Sequence, residues 1–118
     1  MKSYLFVLRK PAHSGAYVQE MLDTILTTAA FDQKVSILFL DDGVFQLKSN
    51  QHPEKAGIKD TAAIFNALEI YDVKDLYAEV ESLQERGLKP GNLFLSVQEC
   101  YRRDIAALMK RFDVVFAG

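Results

Sequence analysis

Short apolar runs alternate along this chain with segments whose apolar residues recur every three or four positions. The runs have the length of strands, and they lie at residues 4–8, 35–40, 73–78, 93–97 and 113–117. The run at 73–78 is interrupted by Lys74 and Asp75. Dense apolar runs without alternation are typical of strands that are buried on both faces. The pattern therefore predicts five buried strands.

The segments between the runs have helical periodicity. A short helix is predicted over residues 79–86, ending at Gly87, which suits a helix C-terminus. Asp60 can cap another helix at its N-terminus. The three longer segments have these apolar stripes: Val18, Met21, Leu22, Ile25, Leu26 and Ala29; Thr61, Ile64, Phe65 and Leu68; Tyr101, Ile105, Leu108, Met109 and Phe112.

Strands that alternate with helices predict right-handed βαβ units and a parallel sheet with helices on both faces. The expected fold class is α/β: a three-layer α/β/α sandwich with a five-stranded parallel sheet, flavodoxin-like in general plan. A length of 118 residues suits a single domain, and we expect it to span residues 1–118.

Composition narrows the function classes. The formal net charge is -2, and no block of Lys and Arg is present, so direct binding of nucleic acid is not expected. The first apolar run is too short to span a bilayer, so we expect a cytoplasmic protein that does not bind membranes. The single cysteine, Cys100, cannot form an internal disulfide, which agrees with a reducing compartment. No GxGxxG or GxxxxGK[ST] motif occurs, and we expect no cofactor.

Reactive groups in parallel sheets lie beyond the carboxyl ends of the strands. Cys100 is predicted to lie just past the fourth strand at the start of a helix, where the helix dipole favours a thiolate. The neighbouring carboxylate of Glu99 opposes that effect. Cys100 is therefore either an incidental cysteine, which we favour, or a nucleophile.

Four other polar residues are candidate metal ligands. Asp41 and Asp42, at a predicted strand end, could hold magnesium, but capping of the turn before Gly43 is the simpler interpretation. His13 and His52 have no Cys or His neighbour at metal-ligand spacing, and we interpret both as surface histidines. No metal site is predicted.

Three large apolar side chains follow the turn at Gly43, in the segment Val44-Phe45-Gln46-Leu47. Exposed loops do not normally contain such a group. The segment either folds under the sheet as a short helix that caps the core, or forms part of a subunit interface, where aromatic residues are enriched. These four residues are the candidate interface, and both interpretations can hold together.

Over essentially its whole length, the chain resembles the DsrE/DsrF-like family of sulfur-relay proteins. The resemblance is most specific at Asp42-Gly43-Val44-Phe45-Gln46-Leu47. Leu68-x-x-Tyr71-Asp72 and Leu83-x-Glu85-Arg86-Gly87-Leu88 support it. The resemblance implies a DsrF-like subunit that joins TusB-like and TusD-like subunits in a dimer of heterotrimers. Such an assembly passes persulfide sulfur from an upstream carrier to a downstream one for 2-thiolation of the tRNA wobble uridine, and a related complex serves sulfur oxidation.

The resemblance also places the reactive cysteine of the assembly in the TusD-like subunit, near the end of the third strand. The matching segment of this chain, residues 76–79, reads Leu-Tyr-Ala-Glu and contains no thiol. The resemblance therefore implies a non-catalytic structural subunit with no catalytic residue of its own. Two alternatives stay open: a sulfurtransferase that acts through Cys100, and a small-molecule or metal-binding flavodoxin-like module that uses Asp41 and Asp42.

Overall fold

The computed structural model describes residues 2–10, 16–31, 33–47, 68, 73, 75–89 and 97–117. Its five strands are all parallel and lie in the order β4-β3-β2-β1-β5. They are β1 Ser3–Leu8, β2 Lys34–Phe39, β3 Asp75–Glu79, β4 Gln98–Cys100 and β5 Val114–Ala117. The predicted five-stranded parallel sheet is confirmed, including the interrupted third strand.

Helices cover both faces of this sheet. The α-helices of the described residues are α1 Ala16–Ala30, α2 Val80–Glu85 and α3 Ile105–Met109, and 3-10 helices lie at Asp41–Leu47 and Arg102–Asp104. Leu22 and Ile25 of α1 pack with Leu83 of α2 on one face. Ile105 and Leu108 of α3 pack on the other. The predicted three-layer sandwich is therefore confirmed.

The strand order explains which face each helix covers. From β1 to β4 each connection steps in the same direction across the sheet, so right-handed crossovers place these connections on one face. Leu68, a helical residue in the connection between β2 and β3, is buried in the same core cluster as Leu22. The connection from β4 to β5 returns to the far side of β1 and therefore crosses the opposite face.

Helix α2 ends as its sequence predicts. Gly87 has a φ of 68°, in the left-handed region where glycine is favoured. Its N–H donates to the carbonyl of Gln84 (3.2 Å), and the N–H of Leu88 donates to the carbonyl of Leu83 (2.9 Å). These are the two hydrogen bonds of a Schellman motif, and Leu83 and Leu88 are both buried in one core cluster.

The fourth strand was predicted too early in the chain. It begins at Gln98, after Val97, whereas residues 93–96 lie outside the described part. Gln98 and Glu99 are exposed because β4 is an edge strand, so a search for buried apolar runs does not find it. Two further predictions are wrong as a result: Cys100 is the last residue of β4 and does not begin a helix, and Tyr101 lies before α3 with 51% of its surface exposed.

Some predicted features lie outside the described residues, namely Asp60, Thr61, Ile64, Phe65, Tyr71 and Asp72. In the described part of the chain, no helix combines the length and apolar character needed to cross a bilayer.

Candidate functional site

The carboxyl ends of four neighbouring strands meet at one edge of the sheet, at Leu8, Phe39, Glu79 and Cys100. The 3-10 helix Asp41–Leu47 follows β2 directly and passes close under the end of β1. Its first residue, Asp41, has a φ of 49°, a left-handed conformation that aspartate tolerates better than most residues. The sequence predicts reactive groups at this edge, so the side chains found there indicate which chemistry the described part of the chain can perform.

The segment Val44-Phe45-Gln46-Leu47 forms most of that 3-10 helix. Val44 and Leu47 are fully buried in the core cluster, and Phe45 is half-buried and packs against it. The segment therefore caps the core, which is one of the two interpretations offered above. Because the side chains of Val44 and Leu47 are enclosed by their own chain, Phe45 is the apolar residue of this segment that can take part in an interface. The side chain of Gln46, the fourth candidate interface residue, lies outside the described part of the structure.

A buried carboxylate lies at the end of β3. Glu79 is 5% exposed, and its Oε1 accepts a hydrogen bond from the hydroxyl of Ser82 (2.6 Å). The same oxygen accepts from Nε (3.1 Å) and Nη2 (2.9 Å) of Arg102, in the 3-10 turn after β4. Ser82 Oγ in turn accepts the backbone N–H of Asp41 (2.9 Å). These four residues, called here the Glu79 network, join the segments that follow β2, β3 and β4.

The Glu79 network contains a paired charge. Burial opposes ionisation of Glu79, but hydrogen bonds from Arg102 and Ser82, with the positive charges of Arg102 and Arg86, outweigh it and hold the pKa of Glu79 below its ordinary value. Arg102 is also held by exposed Glu85, whose Oε1 lies 2.8 Å from Nη2. Both charges at this strand end are therefore already compensated within the chain.

The two side chains of the acidic pair after β2 differ in their environment. Arg86 Nε donates to Asp42 Oδ1 (2.9 Å), and the Asp41 side chain is exposed. Within the part of the chain that the structure describes, no group of three or more His, Cys, Asp or Glu residues is arranged to hold a metal ion. The side chain of Asp42 therefore binds Arg86, and the turn-capping interpretation of Asp41 and Asp42 stays a prediction. His13 and His52 lie outside the described residues.

Cys100 lies beside Glu79 on the neighbouring strand, and its sulfur is 3.7 Å from the carbonyl oxygen of Ala78. The thiol is half-buried. Burial, and after it the nearby carboxylates of Glu79, Asp104 and Glu81, together raise the pKa of the Cys100 thiol to about 11. Placement in a strand also removes the helix dipole that could favour a thiolate. This environment suppresses the nucleophile at neutral pH.

The sequence analysis missed Ser82 and Arg102, and it included Glu79 only as part of a segment, residues 76–79, that contains no thiol. One signal was available: Glu79, Ser82 and Arg86 follow each other at spacings of three and four, as neighbours on one face of a helix do, although in the structure Glu79 is the last residue of β3. Arg102 had no such signal because its partner is 23 residues away. In chemical terms, the edge holds a compensated ion pair and a protonated thiol, and it lacks an activated nucleophile among the described residues.

Comparison with protein families matches residues 2–117 to the DsrE/DsrF-like family. Among curated proteins, a TusC homolog from Pseudomonas aeruginosa is 41% identical over 97% of this chain and 96% of its own length. The TusC protein of Klebsiella pneumoniae is 34% identical over 98% of each chain. The intracellular sulfur oxidation protein DsrF of Allochromatium vinosum is 38% identical over 79% of this chain and 68% of its own.

Two solved structures share the fold. The ychN protein of E. coli superposes with a TM-score of 0.82 at 13% identity, and the match covers 100% of both chains. A protein of unknown function from Methanobacterium thermoautotrophicum has a TM-score of 0.76 at 11% identity, also with full coverage of both. At these identities the likeness concerns the fold alone.

Proposed function

Since the chain belongs to the DsrE/DsrF-like family, we propose that it is the TusC-type (DsrF-like) subunit of a sulfur-relay complex and supplies no reactive thiol of its own. The observation that carries this proposal is the end of β3. The resemblance places the reactive cysteine of the catalytic subunit near this strand end, whereas residues 76–79 of this chain contain no thiol and end in Glu79, which is buried and bound by Arg102 and Ser82. A compensated carboxylate cannot accept persulfide sulfur.

The complex, in this proposal, assembles TusB-like and TusD-like subunits with this chain as a dimer of heterotrimers in the cytoplasm. It passes persulfide sulfur from an upstream to a downstream carrier and serves 2-thiolation of the tRNA wobble uridine. The relatives named TusC and the DsrF relative, named for intracellular sulfur oxidation, support the sulfur-relay role, whereas the tRNA pathway is what the family resemblance implies. In this complex, the chain acts as a structural subunit that binds the catalytic subunit and holds it in position.

Cys100→Ser in the reconstituted complex should leave sulfur transfer within about twofold of wild type. The reason is that a thiol with a pKa near 11 is ionised in only about one molecule in ten thousand at pH 7, and the thiolate is the nucleophile. Transfer of radioactive sulfur from an upstream donor to the downstream carrier measures the outcome. Loss of transfer by an assembled complex would assign the relay step to Cys100 and contradict the proposal.

A companion measurement on the isolated chain tests the same environment. The rate of Cys100 alkylation by iodoacetamide should be very low at pH 7–8 and rise only as the pH approaches 11, because raising the pH forms the thiolate. Denatured protein is the control, and its thiol should react with an ordinary pKa of about 8.5. If the alkylation rate of the folded chain rose with a midpoint as low as that of the denatured chain, the thiol of Cys100 would not be suppressed as a nucleophile.

Phe45→Ala should weaken association with the partner subunits more than it weakens the isolated fold. Phe45 is the partly exposed apolar side chain of its segment, so a partner can complete its burial, and interface aromatics often contribute about 2 kcal/mol or more to binding. Analytical ultracentrifugation of the mixed subunits and thermal unfolding of the isolated variant measure the two effects. Val44→Ala is the matched control. Because the side chain of Val44 is fully buried, this substitution should lower the stability of the isolated chain and not its affinity for the partner subunits. A Phe45 variant that melts early yet assembles with native affinity would make Phe45 a core residue only.

A further inference from the structure

The segment from Gln98 to Asp104 contains β4 and the 3-10 turn that follows it, and it is called here the β4 strap. All of its residues are exposed except Cys100, which is half-buried. Its two flanking residues are anchored in the core. Val97 packs against the cluster on the face that α1 covers, and Ile105 is buried in the cluster on the opposite face. The strap therefore crosses the edge of the sheet between two apolar anchors and buries little apolar surface itself.

Backbone pairing holds the strap to the sheet over a short distance. Residues 98–100 pair with residues 77–79 of β3, which is a ladder of three residues. Strand β5, at the other edge, pairs over four residues and is also held by Phe116, whose ring stacks on Phe6 with 5.0 Å between centroids. Segments with few buried apolar contacts open at a lower free-energy cost than the whole fold does. The β4 strap is such a segment.

Arg102 supplies the other attachment of the strap. Its Nε and Nη2 donate to Oε1 of buried Glu79, and Nη2 also donates to Oε1 of Glu85 (2.8 Å). Its backbone N–H donates to Oε1 of Glu81 (2.8 Å). Glu81 and Glu85 belong to α2, and Glu79 directly precedes that helix. One residue of the strap thus binds three carboxylates at α2, and the contact with Glu79 is shielded from water.

The closed strap also covers the thiol of Cys100. The sulfur lies 3.7 Å from the carbonyl oxygen of Ala78 in β3, and the side chain packs against the core cluster that contains Ile105. Separation of β4 from β3 would remove both contacts and expose the sulfur to water. An exposed thiol has an ordinary pKa of about 8.5 and reacts readily with electrophiles. The reactivity of Cys100 therefore depends on whether the strap is closed.

We propose that the β4 strap opens and closes as a unit between Val97 and Ile105, that Arg102 holds it closed, and that Cys100 reacts only when it is open. Opening also uncovers the edge of β3, so the strap controls access to the strand that ends in Glu79. The inference goes beyond the proposed function and does not depend on it, because the equilibrium belongs to this chain alone.

Amide hydrogen exchange of the full chain, resolved by residue with NMR, tests the inference. The exchange rate of a protected amide is proportional to the fraction of molecules in which it is open. Arg102→Ala should therefore speed exchange in β4 by about tenfold or more, while exchange in β1 changes by less than about twofold. Arg103→Ala is the matched control and should leave exchange in β4 unchanged. Arg103 is 79% exposed, and its contacts with Tyr101 and Asp104 lie within the strap.

Alkylation of Cys100 by iodoacetamide at pH 8 gives a second measurement of opening. Arg102→Ala should raise the alkylation rate by the same factor as the exchange rate in β4, because both reactions require the open strap. Loss of a positive charge two residues away would by itself disfavour the thiolate and slow alkylation. Faster alkylation therefore reports opening and not an electrostatic effect on the thiol.

Glu81→Ala covers the case in which Arg102→Ala destabilises the whole fold. It removes the carboxylate that accepts the backbone N–H of Arg102 and leaves the buried pair with Glu79 in place. Exchange in β4 should rise about threefold or more, again without a change in β1. Unchanged exchange in β4, or an equal rise in β4 and β1 for both variants, would overturn the inference. Faster alkylation without faster exchange in β4 would contradict it too, because the thiol would then react in the closed state.

Discussion

Replacing Gly43 with alanine is expected to destabilise the fold by about 3 kcal/mol or more. A Cβ atom at this position would lie 2.6 Å from the carbonyl carbon of Leu8 and closer still to its oxygen. That oxygen already accepts the N–H of Leu40 (3.0 Å), and the N–H of Gly43 donates to the carbonyl of Leu40 (2.8 Å). Backbone cannot rotate away as a flexible side chain can, so the end of β1 or the 3-10 helix after β2 must shift.

Gly87→Ala is the matched control for this substitution. Gly87 has a positive φ, but an added Cβ would have no atom within 4 Å. Gly87→Ala should therefore lower the free energy of unfolding only by the strain of a left-handed alanine, about 1–2 kcal/mol. Urea denaturation of both variants, followed by circular dichroism, measures the two free energies of unfolding. If Gly43→Ala costs no more than Gly87→Ala, the close approach of the 3-10 helix to Leu8 is not a constraint on this fold.

Glu79→Gln is expected to destabilise the protein by about 1–3 kcal/mol at neutral pH. The amide keeps the size of the side chain but removes the buried negative charge that Arg102 and Ser82 stabilise. Glu85→Gln is the matched control, because Glu85 binds the same guanidinium at 2.8 Å but is 56% exposed. Water can replace that contact, so its loss should cost at most about 1 kcal/mol.

The effect of Glu79→Gln should depend on pH. Because the folded pKa of Glu79 lies below the unfolded value of about 4.3, the unfolded chain binds the proton more readily. The stabilisation by Glu79 is therefore complete above about pH 5 and is lost as the pH falls through the folded pKa. Free energies of unfolding for wild type and Glu79→Gln should converge at acid pH. A difference that is constant from pH 7 to pH 3 would mean that the charge of Glu79 has no part in stability.

Local signals explain the parts of the fold that could be predicted. Apolar runs at β1 and β2 are buried on both faces, so their density identified them. The end of helix α2 could be predicted because it depends on a single residue, Gly87, which adopts the left-handed conformation. The lack of a thiol in residues 76–79, where the resemblance implies a cysteine in the catalytic subunit, could also be read from the residues.

Strand β4 and Cys100 were misplaced because their environment is not local. An edge strand with exposed Gln98 and Glu99 has no apolar run, and it is a strand only because β3 pairs with it. The position of Cys100 beside Glu79 follows from that register. The raised pKa of its thiol therefore arises first from burial at this position in the sheet and then from nearby carboxylates, of which that of Glu79 on the neighbouring strand comes first.

The amino-acid sequence by itself determined the α/β class, the parallel sheet and the absence of a thiol at the end of β3, because apolar periodicity and residue identity are properties of short segments. Only the tertiary structure decided how the charged and aromatic side chains meet. Arg102 reaches Glu79 across 23 residues. Phe116 stacks on Phe6 because β5 lies outside β1. Strand order brings these residues together, and pairwise proximity of that kind leaves no periodic pattern in the chain.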